Sequence, residues 1–314
     1  MLERVSLLME IQELEYEDFG RCIRITNEIL DCVVSIETGP RILRFGFIHE
    51  QNIFYNDLDH KYTSLDEKST MPAKNSVYQL YGGHRLQICQ TPQVDFPDNA
   101  PVVYSTQSEG VTFTPPKLKP EEIQLSFEII MGEKATDIMI VHSAKNCSRE
   151  TMVFALFPST MLAGGGMAVI PQNLQAQEGR PNRTINLWPG TDLKDQRISC
   201  GSRFLVIRHE SENQAPLRIG TNNLPGWIAY ALNGIVLVKR FVSNPQAAYP
   251  DSGSTCEIHL TEDFAELSSL SPLYQVKPGE TIKHVENLSL YRMDRLPAFQ
   301  NEDEIEKWMK ELLG

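Results

Sequence analysis

The sequence predicts an all-β protein, and three observations carry that prediction. Apolar residues come in short runs that alternate with polar ones, as in Leu30, Cys32, Val34 and Ile36 against Asp31, Ser35 and Glu37. Turn residues separate the runs, Gly39-Pro40 being one such pair. With 314 residues, the chain is long enough to form a large sandwich or barrel as one domain, residues 1–314.

In chain order, the strand after Leu30–Ile36 is Arg41–Phe47, beyond Gly39-Pro40. The polar stretch from Asp57 to Asn75 has no steady period and reads as a long surface loop. Tyr81-Gly82-Gly83-His84-Arg85-Leu86 follows. Two glycines before a His-Arg pair suggest backbone in close approach, with ionisable side chains presented there; a structural turn with a solvated arginine has the same pattern. Further strands are expected at Val111–Phe113, Ile123–Ile130, Ala135–Ser143, Met152–Phe157, Met167–Ile170, Thr184–Leu187, Arg203–Ile207, Trp227–Leu232 and Ile235–Phe241. Gly164-Gly165-Gly166 lacks the spacing and the lysine of a phosphate loop and reads as a turn. Trp188 and Trp227 offer flat surfaces for stacking on a sugar, although core packing is the more frequent fate of a lone tryptophan.

Chemistry concentrates in one late strand. Cys256, Ile258 and Leu260 alternate with Glu257, His259 and Thr261, so Glu257 and His259 share a face with Cα atoms about 6.6 Å apart. A carboxylate and an imidazole so placed suit acid/base work, although an exposed polar sheet face reads the same way. At the end of the chain, Asn301 can cap a helix over about 301–313, with Glu302, Asp303 and Glu304 in its first turn. Ile305, Trp308, Met309 and Leu312 make its apolar stripe, which should pack on the outside of the β structure or on a neighbouring subunit.

Composition narrows the function. Lys+Arg number 29 against Asp+Glu 41, a formal charge of -12, and no basic cluster occurs. Nucleic acid and anionic membrane surfaces, which need concentrated positive charge, are therefore excluded as expected partners. Glu3, Arg4 and Glu10 break the first apolar run, and no later segment reaches membrane-span length, so a cytoplasmic protein is expected. The six cysteines are scattered singly, which fits reduced thiols and no zinc-finger spacing. Oligomeric state stays open.

A series of motifs, in one order from about residue 20 to residue 292, resembles the galactose mutarotase-like (aldose 1-epimerase) superfamily, and within it a bacterial branch. They are Gly39-Pro40-Arg41-Ile42, Gly82-Gly83-His84-Arg85-Leu86, Trp188-Pro189-Gly190-Thr191-Asp192-Leu193 with Asp195 and Arg197, and Gly226-Trp227 with Ala229-Tyr230. Val238-Lys239-Arg240-Phe241, Tyr249-Pro250-Asp251 with Gly253 and Glu257, and Pro278-Gly279-Glu280 with His284 and Glu286 complete the series. The resemblance implies a two-layer antiparallel β-sandwich (supersandwich) whose concave face binds a small-molecule carbohydrate. It further implies that Glu257 is the general base of anomer exchange, without metal or organic cofactor. The substrate-binding set it implies is Arg41, Arg85, Trp188, Asp192, Trp227, Lys239 and Asp251, with Arg41, His84, Arg85, Lys239 and Glu257 lining one pocket.

The chain departs from the family at the acid. Sugar mutarotases carry the acid histidine in a mid-chain segment, and the corresponding Phe154–Met161 has none, which leaves His84 and His259 as candidates. Gln87 and Gln93 stand where the branch has tryptophan and glutamate, His259 where it has tyrosine, and Leu270-Ser271-Pro272-Leu273 where it has L-G-P-L. Three readings follow: an aldose 1-epimerase-like isomerase, a non-catalytic carbohydrate-binding or sensing protein, and a sugar-phosphate epimerase with Arg41, Arg44 and Arg85 as phosphate clamp. His84, Glu257 and His259 are zinc-type ligands, but no spacing signature makes them a metal site.

Overall fold

The computed structural model describes residues 9–62, 64–65, 77–90, 98–108, 110–119, 121–175, 179 and 181–313. Its strands in the first half are β1 (Glu10–Glu15), β2 (Arg21–Thr26), β3 (Leu30–Ser35), β4 (Ile42–Phe47), β5 (Ser64–Leu65), β6 (Val77–Tyr78), β7 (His84–Cys89), β8 (Val103–Thr106), β9 (Gly110–Thr114), β10 (Ile123–Met131) and β11 (Asp137–Asn146). In the second half come β12 (Met152–Ala163), β13 (Met167–Pro171), β14 (Ile185–Leu187), β15 (Ile198–Cys200), β16 (Phe204–Arg208), β17 (Leu217–Thr221), β18 (Trp227–Leu232), β19 (Ile235–Phe241), β20 (Cys256–Leu260), β21 (Phe264–Ser269), β22 (Tyr274–Val276) and β23 (Thr281–Arg292). A single turn, α1 (Pro250–Gly253), precedes β20, and the terminal helix α2 spans Glu302–Leu313. No helix is long and apolar enough to cross a membrane among the described residues.

Two antiparallel sheets form the sandwich. The first runs β1-β2-β3-β4-β7-β12-β21-β20-β17-β14, with β22 also paired to β12; the second runs β15-β16-β13-β18-β19-β23-β11-β10-β9-β8. Alternation decides which side chains meet between them. From the first sheet Ile23, Ile25, Ile219, Ile258 and Leu267 enter the core, and from the second Phe127, Ile140, Ala168, Ile207 and Tyr230. In the second sheet the intervening residues Val169, Val206, Ala229 and Val238 point out the other way, and they pack against Ile305, Trp308 and Met309 of α2. The helix thus covers the outer face of the second sheet. Asn301 Oδ1 accepts the backbone N–H of Asp303 and of Glu304, each at 3.2 Å, as its cap.

The strands expected from alternation are all present, while β1, β2, β5 to β8, β15, β17 and β21 to β23 lie outside those expectations. The expected Asp57–Asn75 loop is described only at Asp57–Tyr62 and at Ser64–Leu65, where β5 pairs with β6; its remainder and Gln93 lie outside the described residues. Gly164-Gly165-Gly166 is the turn from β12 to β13. The paired glycines before His84 do mark a close approach. Both have positive φ, and a Cβ on Gly82 would meet the Tyr55 carbonyl oxygen at 2.2 Å, one on Gly83 that of Ile42 at the same distance.

Candidate active site

The outer face of the first sheet carries a cleft of about 920 Å³. Its floor is built from alternate residues of adjacent strands: Arg85 and Gln87 of β7, Glu257 and His259 of β20, Glu266 and Ser268 of β21. Trp188 and Asp251 border it, as does Arg218 of β17. The face-sharing of Glu257 and His259 follows from the period of two, and the apolar alternates Cys256, Ile258 and Leu260 are buried in the core. Glycine at position 220, directly across from Glu257, leaves room first for the Ser254 hydroxyl, with which a Cβ there would collide, and then for the Trp188 ring, which it would meet at 3.2 Å.

Glu257 is almost fully buried, and its Oε2 receives Nε and Nη2 of Arg218 at 3.1 and 2.7 Å. Burial pushes its carboxyl up to about 8; Arg218 opposes this and the Asp251 carboxylate adds to it. Arg218 itself lies over the Trp188 ring, 4.4 Å from its centroid. His259 is about a third exposed and stands 3.3 Å by Nδ1 from Glu266 Oε2. Burial alone would raise the Glu266 carboxyl, but His259, Ser159 and Arg85 outweigh it and hold it at about 2. Glu266 and His259 face each other across the β20–β21 register, and Ser159 donates to the other carboxylate oxygen.

Not all of the expected residues reach the cleft. Arg85, Trp188, Asp251, Glu257 and His259 line it. His84 does not, because it alternates with Arg85 along β7 and so faces the space between the sheets, fully buried. Lys239 is likewise buried between the sheets. The expected pocket of Arg41, His84, Arg85, Lys239 and Glu257 is therefore not assembled, nor is a metal site of His84, Glu257 and His259. Arg41 pairs with Asp98 at 2.5 Å and lies 5.2 Å from the Tyr81 ring centroid. Arg44 pairs with Asp31 at 3.0 Å, while Arg41 and Arg85 both face Asp98, so the proposed clamp of Arg41, Arg44 and Arg85 loses Arg44 and finds a carboxylate between the other two. Trp227 packs beside Phe204 on the sheet face that α2 covers. Asp192 is an exposed turn residue whose carboxylate accepts the Lys194 N–H at 2.9 Å.

The motif residues that leave the cleft form a second, buried group. Glu286 Oε1 pairs with Lys239 Nζ at 2.7 Å and accepts the Ser269 hydroxyl at 2.6 Å; its Oε2 lies 3.3 Å from His142 Nε2 and 3.8 Å from His84 Nε2. Thr160 Oγ1 receives Lys239 at 3.1 Å and meets His84 Nδ1 at 2.8 Å, while His284 Nε2 sits 2.7 Å from Ser269 Oγ. Ligand-type atoms of His84, His142 and Glu286 converge within 4.8 Å. Lys239 already balances Glu286, however, and a divalent ion would add two charges beside an ammonium in a dry core, so the group reads as a buried ion-pair network. Glu266, Arg218 and Ser159 had not been singled out from the sequence. The available signal was the alternation Phe264, Glu266, Ser268 against Ala265, Leu267, Ser269, which places Glu266 on the face of His259 once a hairpin is assumed.

The fold is the galactose mutarotase-like sandwich. A galactose mutarotase-like protein from Lactobacillus casei aligns over 86% of this chain and 100% of its own at 10% identity and a TM-score of 0.56. A protein from Escherichia coli K12, titled provisionally an aldose 1-epimerase, aligns over 91% and 100% at 11% identity and 0.53. A TPR-domain containing protein from Parabacteroides distasonis aligns over 90% of this chain at 14% identity and 0.60, and there the chain spans 50% of the other's length. No family model and no curated protein matches the sequence.

Proposed function

We propose that the protein is an aldose 1-epimerase-like isomerase that interconverts the anomers of a sugar or sugar derivative in the cleft of the first sheet. The observation that carries this reading is the pair Glu257 and His259, side by side on one strand face and open to the same cleft. The ionised Glu257 takes the proton of the anomeric hydroxyl as the bond from the anomeric carbon to the ring oxygen breaks. The electron pair of that bond goes to the ring oxygen, which receives a proton from His259 Nε2. The carbonyl turns over, and the same two transfers in reverse close the ring as the other anomer. Each correctly placed group contributes about 10²–10⁴-fold. Trp188 provides an apolar surface for the sugar ring.

A neutral sugar suits the cleft better than a sugar phosphate. Its cations already face carboxylates: Lys61 faces Glu262 and Asp263, Arg218 faces Glu257, and Arg85 lies 4.0 Å from Asp98. Exchange NMR of anomers, run with a panel of aldoses and their phosphates, tests the reading directly. Acceleration for at least one sugar is expected. Binding without acceleration for any sugar makes the cleft a carbohydrate-binding site and removes the isomerase.

A further inference from the structure

Glu266 is a carboxylate that the reaction does not touch, yet it is placed as if for a task. It lies on β21 directly opposite His259 of β20, and both line the cleft. Its two oxygens are divided: Oε1 accepts the Ser159 hydroxyl and Oε2 faces His259 Nδ1 at 3.3 Å. The Glu266 side chain is 17% exposed and that of His259 37%, so the pair is sunk at its carboxylate end and open at its imidazole end. Nε2 of His259 makes no hydrogen bond among the described residues. An ionised carboxylate only accepts hydrogen bonds, so it keeps the imidazole proton on Nδ1 in the neutral ring. Nε2 is then the atom left to exchange a proton with whatever occupies the cleft.

We propose that Glu266, held by Ser159, is the positioning residue of the reaction: it fixes the tautomer and orientation of His259 so that Nε2 is the proton-transfer atom facing the sugar. This rests on the isomerase reading above and adds to it a source for the acid function that the mid-chain segment lacks. When His259 is protonated it carries hydrogens on both nitrogens, with Nδ1–H directed to Glu266 and Nε2–H to the ring oxygen. Donation from Nε2 returns the neutral ring with its proton on Nδ1, the form that Glu266 favours. An ordinary ion pair at the rim would leave the tautomer free and would not matter to turnover.

The test reads the tautomer and the rate separately. Long-range proton–nitrogen NMR on histidine-labelled protein, at a pH where the ring is neutral, assigns the His259 signals by their loss in His259→Gln. The proton is expected on Nδ1 in wild type. In Glu266→Gln, which keeps the shape but offers either an oxygen or an NH₂ to the ring, a mixture of both tautomers is expected. Sugar exchange in that variant should fall about 10²-fold in kcat, with KM unchanged within about twofold. Glu266→Ala, where it folds, should move the population further toward the Nε2–H form. A proton on Nε2 in wild type, or a Glu266→Gln spectrum identical to wild type, overturns the positioning role. A shifted tautomer with no exchange of any sugar overturns the isomerase reading and leaves the pairing intact; exchange at the wild-type rate in Glu266→Gln overturns the positioning role and leaves the isomerase reading intact.

Discussion

Lys239 Nζ lies 2.7 Å from Glu286 Oε1, and both side chains are fully buried between the two sheets, behind the strands that form the cleft floor. Removing one partner leaves an uncompensated charge in a dry interior. Lys239→Met or Glu286→Gln is therefore expected to lower unfolding stability by about 3–5 kcal/mol, and the double variant by less than the sum. Urea denaturation of the three variants measures this; additive losses would mean that the two groups do not act as a pair.

Glu257→Gln keeps the size and most of the hydrogen bonding of the carboxyl but cannot take a proton. It should abolish anomer exchange, a loss of at least about 10²-fold, while leaving sugar affinity close to wild type. Titration calorimetry beside exchange NMR separates the two effects. Loss of binding together with rate would make Glu257 a binding group only.

The pH dependence of the rate follows from the same side chain. Burial holds the Glu257 carboxyl at about 8 against the opposing Arg218, so the base form grows as pH rises toward and through 8. Exchange by wild type should therefore follow a bell, the Glu257 base form growing as pH rises toward 8 while the protonated acid His259 is lost, and replacing Arg218 with Met, which removes the opposing charge, should move the limb that Glu257 sets to higher pH. A rate that is flat from pH 6 to about 9 would contradict the assignment.

Stability should depend on pH with two opposite limbs. Glu257 has a folded value raised above its unfolded one, so its contribution is present below about 4.5 and is lost as pH rises toward about 8. His284 is pushed by burial down to about 4, and burial also lowers His84 and His142. Their contribution is present above the ordinary histidine value and is lost as pH falls through about 6.5 toward 4. Urea midpoints across pH 4–9 should show both limbs, and Glu257→Gln should flatten the alkaline one alone.

The terminal helix offers a control. Ile305 is completely buried against the second sheet, and Ile305→Ala should cost about 2–5 kcal/mol. Because the cleft lies on the outer face of the other sheet, the folded variant should exchange anomers at the wild-type rate.

Sequence alone determined the β-rich architecture, most strand positions, the capped helix at Asn301 and the shared face of Glu257 and His259. These depend on local periodicity and turn chemistry, which neighbouring residues carry among themselves. Tertiary structure decided which ionisable residues meet. His84 and Arg85 are adjacent in one motif, yet the pleat of β7 sends one into the core beside Glu286 and the other into the cleft. Lys239 and Glu286 are likewise drawn inward, and Glu266 reaches His259 only through the register of the β20–β21 hairpin. A motif identifies a residue and its chain neighbours, but the side of the sheet that it serves is set by strand pairing with distant segments.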